Sequence, residues 1–176
     1  MTVHEDLLAQ AEQLALIDSQ KPKQVNLRRA VSATYYAAFH LLVEESCRIM
    51  IGAQRAQQPY RFALGRAFSH TTMKLACKSF SGGTLKDAVV KGLPRNASGT
   101  YSIPREIQDT AKVFVALQEK RHLADYDRSE CFKRSDVLTV IDETKTQLTE
   151  FLSLSISDDK RFFLACLWAW KELTNR

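Results

Sequence analysis

Glycine and proline are scarce in this 176-residue chain, six and four respectively, and they fall away from its periodic stretches. A sheet protein held together by many tight turns needs more of both, so the scarcity points to an all-α fold. Long apolar runs are also missing. The most apolar stretch, 162–170, falls well short of the roughly 20 residues that a membrane span requires. No basic-then-apolar leader opens the chain, and we expect a soluble, cytoplasmic protein with no membrane partner. Cys47, Cys77, Cys131 and Cys166 stand far apart, form no Cys-x-x-Cys pair and have no histidine near enough for a zinc module. We therefore expect reduced thiols, no metal and no cofactor.

What is present suits one folded domain over 1–176. Hydrophobic residues make up 45% of the chain, enough for a core, and charged residues 26%. The net charge of +5 is unevenly spread. Segment 1–60 carries 6 bases and 6 acids, 61–134 carries 14 and 7, and 135–176 carries 5 and 7. The whole excess lies in the middle of the chain, as a phosphate-binding face would need.

Periodicity divides the chain into about five major helices plus short ones. The first starts at Thr2, with Glu5 completing a capping box, and ends at Lys21-Pro22-Lys23. The second runs from about Val25 to Ile51 and stops at Gly52. On it Arg29, Ala33, Tyr36 and His40 fall within about 60° of one another, with Ser32 beside them. Apolar or small residues surround the rest of the helix, the pattern of a central bundle element. His40 reads as a core histidine partnered by Tyr36, and Arg29 as a cation paired with a carboxylate elsewhere in the bundle.

A short helix over Tyr60–Phe68 is followed by one over His70–Phe80, capped by Ser69, with Met73, Leu75, Ala76 and Phe80 facing inward. The 81–103 stretch, rich in Gly and basic residues, reads as a long loop insertion with a weak helical turn over Leu85–Val90. Pro104 suits the first position of the next helix. Its stripe of Ile107, Ala111, Phe114, Leu117 and Ala124 carries it into Leu117-Gln-Glu-Lys-Arg-His-Leu-Ala-Asp-Tyr-Asp127. Ser135 is expected to cap the following helix, with Val137, Leu138, Ile141, Leu148, Phe151 and Leu152 inward. Ser157 caps the last, a C-terminal helix over 157–176 added to the bundle. Its Phe162, Phe163, Leu164, Leu167, Trp168 and Trp170 are apolar on more than one face, one to close the core and a second to meet another protomer or a partner, with the Trp168 and Trp170 surface the expected place of that contact.

Within 117–127, Arg121 and Asp125 are four residues apart, as are His122 and Tyr126. A helix-surface ion pair and a ring stack account for both pairs without any function. The combination of Arg29-Ala-Val-Ser-Ala-Thr-Tyr-Tyr-Ala-Ala-Phe-His40, a mid-chain Ser69-His70 and Arg121-His-Leu-Ala-Asp-Tyr126 nevertheless resembles the HEPN superfamily (higher eukaryote and prokaryote nucleotide-binding). It is closest to small prokaryotic members with a Tyr-Tyr-Ala-x-Phe-His helix and a later Arg-x-x-Ala-Asp-Tyr. The likeness covers roughly 5–155.

The resemblance implies an up-and-down antiparallel helical bundle that commonly dimerises. Many such proteins are metal-independent endoribonucleases of toxin–antitoxin or defence systems. Others bind nucleotides or a nucleotidyltransferase partner. The nuclease motif is an arginine, a polar residue and a later histidine. Carried over, Arg121 matches the arginine and His122 the polar residue, while Tyr126 stands where the histidine is expected. The implied catalytic set is therefore Arg121, His122 and Tyr126, and the implied RNA- or nucleotide-binding set is Arg29, His40, Lys120, Arg121 and Asp125. Arginine holds a phosphate at any physiological pH. Tyrosine, with a reference pKa of about 10, is a poor replacement for histidine in moving a 2′-hydroxyl proton. The alternative expectation is a catalytically degenerate member that binds a nucleotide or a protein partner.

Overall fold

Helix accounts for nearly every periodic stretch, and no strand occurs among the described residues, 2–175, of the computed structural model. The elements are α1 (Val3–Leu16), α2 (Gln24–Ile51), a 3-10 turn (Arg55–Gln57), α3 (Gln58–Gly65), α4 (His70–Ser81), α5 (Asp87–Val90), α6 (Arg105–Tyr126), α7 (Arg134–Ser153) and α8 (Asp158–Thr174). The fold is an all-α helical bundle with five long helices and shorter ones, as the periodicity requires. No helix among these residues is long and apolar enough to cross a membrane.

Local chemistry sets the boundaries. Glu5 accepts a 2.7 Å hydrogen bond from the Thr2 amide at the start of α1, the return half of a capping box. Ser69 and Ser157 accept from the amides of Thr72 and Lys160, each at 3.2 Å, and so start α4 and α8. Gly52 ends α2 with φ +110°, which a side chain would strain.

Several expected details differ. Pro59 sits in the first turn of α3, where its missing N–H costs nothing, so that helix starts earlier than Tyr60 and ends at Gly65. The Pro104 carbonyl accepts from the Ile107 and Gln108 amides, which makes Pro104 the residue before α6 and not its first. Ser135 lies inside the first turn of α7 and donates to Asp136, while the Lys133 carbonyl takes the first helical bond. Leu75 and Leu152 are exposed, because each falls at the edge of its apolar stripe.

Two compact units share these helices, with boundaries inside α2 and α6. The first comprises Met1–Leu41 and Val113–Leu152. Its core includes Leu8, Leu27, Tyr35, Phe114, Ile141 and Phe151, with the Tyr35 and Phe114 rings 5.6 Å apart. Each such side chain contributes about 1.5–3 kcal/mol by leaving water. The second comprises Leu42–Lys112 and Ser153–Arg176. Phe80 is central to it, 5.0 Å from Phe163 and 6.1 Å from Trp170. Trp170 is buried and Trp168 is half open to solvent. The end of the 81–103 loop is tied to α8, where the Tyr101 hydroxyl donates to Asp159 at 2.6 Å. Burial first, then that carboxylate, pushes the Tyr101 pKa well up.

A recurrent device closes the helix C-termini, whose last carbonyls have no intrahelical donor. Arg134 donates to the carbonyls of Ala15, Asp18 and Ser19 past α1. Arg61 donates to those of Gly52 and Gln54 past α2. The Lys160 ammonium, almost wholly buried, donates to Leu154 past α7. Cations there also complement the negative end of the helix dipole.

Candidate functional site

The fourth of these cations builds the site. Arg28, on the first turns of α2, donates to the carbonyls of Leu123 (3.3 Å), Ala124 (2.9 Å), Asp127 (2.8 Å) and Glu130 (2.6 Å). It therefore holds the C-terminus of α6 and the turn beyond it. Gln24 adds a second tie, its amide nitrogen donating to the Phe132 carbonyl and its amide oxygen accepting from the Phe132 N–H. Asp127 completes the turn by accepting from the Ser129 hydroxyl and amide. Those bonds lower its pKa.

Beside this clamp, a cleft of about 420 Å³ is lined by Val25, Arg28, Arg29, Ser32, Tyr36, Arg121, Ala124, Asp125 and Tyr126, all within the first unit. Arg121 is its centre. Its Nε lies 2.6 Å from Asp125 Oδ2 without pointing at it, so charge and not a directed hydrogen bond holds the pair. Nη2 donates to the Tyr36 hydroxyl at 3.2 Å. The guanidinium carbon lies 5.8, 5.5 and 5.9 Å from the ring centres of Tyr35, Tyr36 and Tyr126, within cation–π range. Burial disfavours the charge on Arg121, but Tyr36, Asp125, Tyr126 and Tyr35 outweigh it and hold the guanidinium above its ordinary range. Asp125 is itself fixed by a 2.6 Å hydrogen bond from Ser32. The ion pair and the His122–Tyr126 ring contact, at 5.0 Å between centres, are both formed.

The expected site residues divide. Arg29, Arg121, Asp125 and Tyr126 line the cleft together; His40, Lys120 and His122 are not among its lining residues. His122 and Lys120 are exposed on α6. His40 corrects the expectation of a core histidine: it is exposed on α2, its ring 6.5 Å from that of Tyr36 and 5.6 Å from that of Phe39. The α2 face that includes His40 is buried at Ala33 and half-buried at Tyr36, then runs out to solvent one turn later. Arg29 also departs from expectation. It is exposed and makes no ion pair with a carboxylate among the described residues. The arginine whose hydrogen bonds hold the helices is its neighbour Arg28. Sequence reasoning missed Arg28 because its partners are backbone carbonyls, which carry no residue-type signal.

The arrangement can hold an anion. Arg29 supplies an uncommitted guanidinium, and Arg121 contributes the nitrogen left over from Asp125 and Tyr36. Among the described residues no cluster of His, Cys, Asp and Glu could bind a metal ion. Comparison with family models, curated proteins and solved structures returned no match, so the reading of this cleft rests on its own geometry.

Proposed function

We propose that the chain is a HEPN-like, RNA-directed protein whose cleft takes a phosphate of single-stranded RNA or of a nucleotide. The convergence of Arg29 and Arg121 with the rings of Tyr36 and Tyr126 on one 420 Å³ cleft carries this reading. That volume suits a nucleotide-sized group. The Arg121–Asp125 pair is mostly buried, its side chains 18% and 22% exposed, so drawing Arg121 toward a phosphate loses part of that contact. A phosphate engaging two guanidinium groups by charge-assisted bonds offsets that loss. Tyr126, 66% exposed, offers a ring on which a base can stack.

Binding without cleavage is the form of this proposal that the geometry favours, because no histidine lines the cleft. A second reading, a metal-independent endoribonuclease of a toxin–antitoxin or defence system, is favoured by one observation. His122 packs on Tyr126 at the cleft edge, next to Arg121. In that reading a homodimer brings two such edges together, and an antitoxin or nucleotidyltransferase partner controls them.

A labelled single-stranded RNA, incubated with the protein in EDTA, tests both. Arg29→Ala and Arg121→Ala should each weaken binding about tenfold and lower the salt dependence by about one released counterion. The RNA should be recovered intact. Cleavage that Arg121→Ala and His122→Ala both abolish would establish the second reading instead. Equal binding by the wild type and both arginine variants would end the proposal.

A further inference from the structure

The cleft offered to an anion already contains one. Among its lining residues Arg28, Arg29 and Arg121 are cations, and Asp125 is the single carboxylate. Arg28 is spent on backbone carbonyls. That leaves Arg29 as the open cation and Arg121 as the occupied one. Asp125 either holds Arg121 in position or stands where a ligand's anion belongs, and the geometry separates these two roles. A carboxylate that positions an arginine takes two parallel N–H···O bonds across the guanidinium fork. Asp125 Oδ2 instead lies 2.6 Å from Nε, whose N–H makes no hydrogen bond. Arg121 is meanwhile held by neutral groups. The Tyr36 hydroxyl accepts from Nη2 at 3.2 Å, and the ring centres of Tyr35, Tyr36 and Tyr126 lie 5.5 to 5.9 Å from the guanidinium carbon. The carboxylate is anchored from α2, where the buried Ser32 hydroxyl donates to Oδ1 at 2.6 Å and leaves Oδ2 for Arg121. Arg121 is thus fixed without Asp125, while Asp125 is fixed against Arg121.

Resting on the phosphate-binding reading of this cleft, we propose that Asp125 is a built-in competitor for its anion site: in the empty cleft the carboxylate occupies Arg121, and a phosphate must take its place there. A like charge left beside the bound phosphate opposes it, so Asp125 sets the affinity of the cleft. Arg29, which has no carboxylate partner among the described residues, takes the first phosphate contact. Arg121 joins it as Asp125 gives way.

The test is fluorescence anisotropy with a short labelled oligouridylate, using the full chain. Asp125→Asn removes the charge but keeps an acceptor for Ser32, and it should bind about tenfold more tightly than the wild type. Asp125→Ser should gain in the same direction and serves if the first variant folds poorly. Asp125→Glu, which keeps the charge, should gain nothing. Glu143→Gln, exposed on α7 and absent from the cleft lining, makes the same change in net charge and should stay within about twofold of the wild type. In nitrogen–proton spectra, the Arg121 Nε–H signal, identified by its absence from Arg121→Lys, should shift as oligouridylate saturates the wild type. An Asp125→Asn variant that binds no better than the wild type overturns the proposal and makes Asp125 a support of Arg121. A gain matched by Glu143→Gln, or an Arg121 signal unmoved at saturation, overturns it too. Binding that Arg29→Ala and Arg121→Ala weaken but Asp125→Asn does not improve ends the competitor role and leaves the cleft reading standing. Absence of binding by the wild type and Asp125→Asn alike ends both.

Discussion

Two adjacent arginines on α2 have opposite employment. Arg28 donates to four carbonyls at the end of α6, and Arg29 faces the cleft. Arg28→Ala should cost about 2 kcal/mol in urea denaturation, because carbonyls at a part-buried helix end lose a charged donor. Arg28→Lys should restore only part of that, since a single ammonium cannot span acceptors arranged for a fork. Asp127 gives a prediction in pH. Its bonds from Ser129 lower its pKa below the ordinary 3.8. The order they impose is fully present above 3.8 and is lost as pH falls through the lowered value. Amide exchange at Ser129 should therefore quicken in strong acid, and Asp127→Asn should remove that dependence. At this scale the site was half legible. Arg121, Asp125 and Tyr126 share one helix end and their spacing places them together. The roles of Arg28 and Arg29 were not legible, because identical side chains differ only in acceptors 95–102 residues away in sequence.

At the scale of the element, apolar periodicity predicted α6 nearly residue by residue. Ile107, Ala111, Phe114, Leu117 and Ala124 are all buried. A helix buried along one stripe announces it in its pattern. The edges of a stripe are less clear, as Leu75 and Leu152 show. The short α3 is harder still, since its exposed rings look like core residues when read by type alone. The last helix shows the same ambiguity in its tryptophans. Trp170 packs near Phe80, so Trp170→Ala should cost about 3–5 kcal/mol and lower the melting temperature. Trp168→Ala, at a site 39% exposed, should stay within about 1 kcal/mol in the same melt. A Trp168 variant that fell as far as the Trp170 variant would contradict that division of faces.

For the whole molecule, the formal charge of +5 overstates what solvent meets as free cation. Arg28, Arg61, Arg134 and Lys160 are occupied by helix-end carbonyls, and Arg121 by Asp125. Counting charges along the chain placed the excess in 61–134 correctly, yet Arg61 and Arg134 in that segment serve the fold. The cations left to act on a ligand are fewer: Arg29 stands at the cleft, and Lys86, Lys91, Arg95, Lys120 and Arg128 are among the others exposed to solvent. The division also has a reagent-level consequence. Phenylglyoxal condenses with guanidinium groups that water can reach, so it should label Arg29, Arg55 and Arg66 quickly in the native protein. Arg28, Arg61 and Arg134 should react only when urea releases the helix ends, and peptide mapping of a brief exposure should separate the two groups. Each helix terminus then carries its own chemical reporter, with slow labelling at a capping arginine signalling that the helix it closes is still formed.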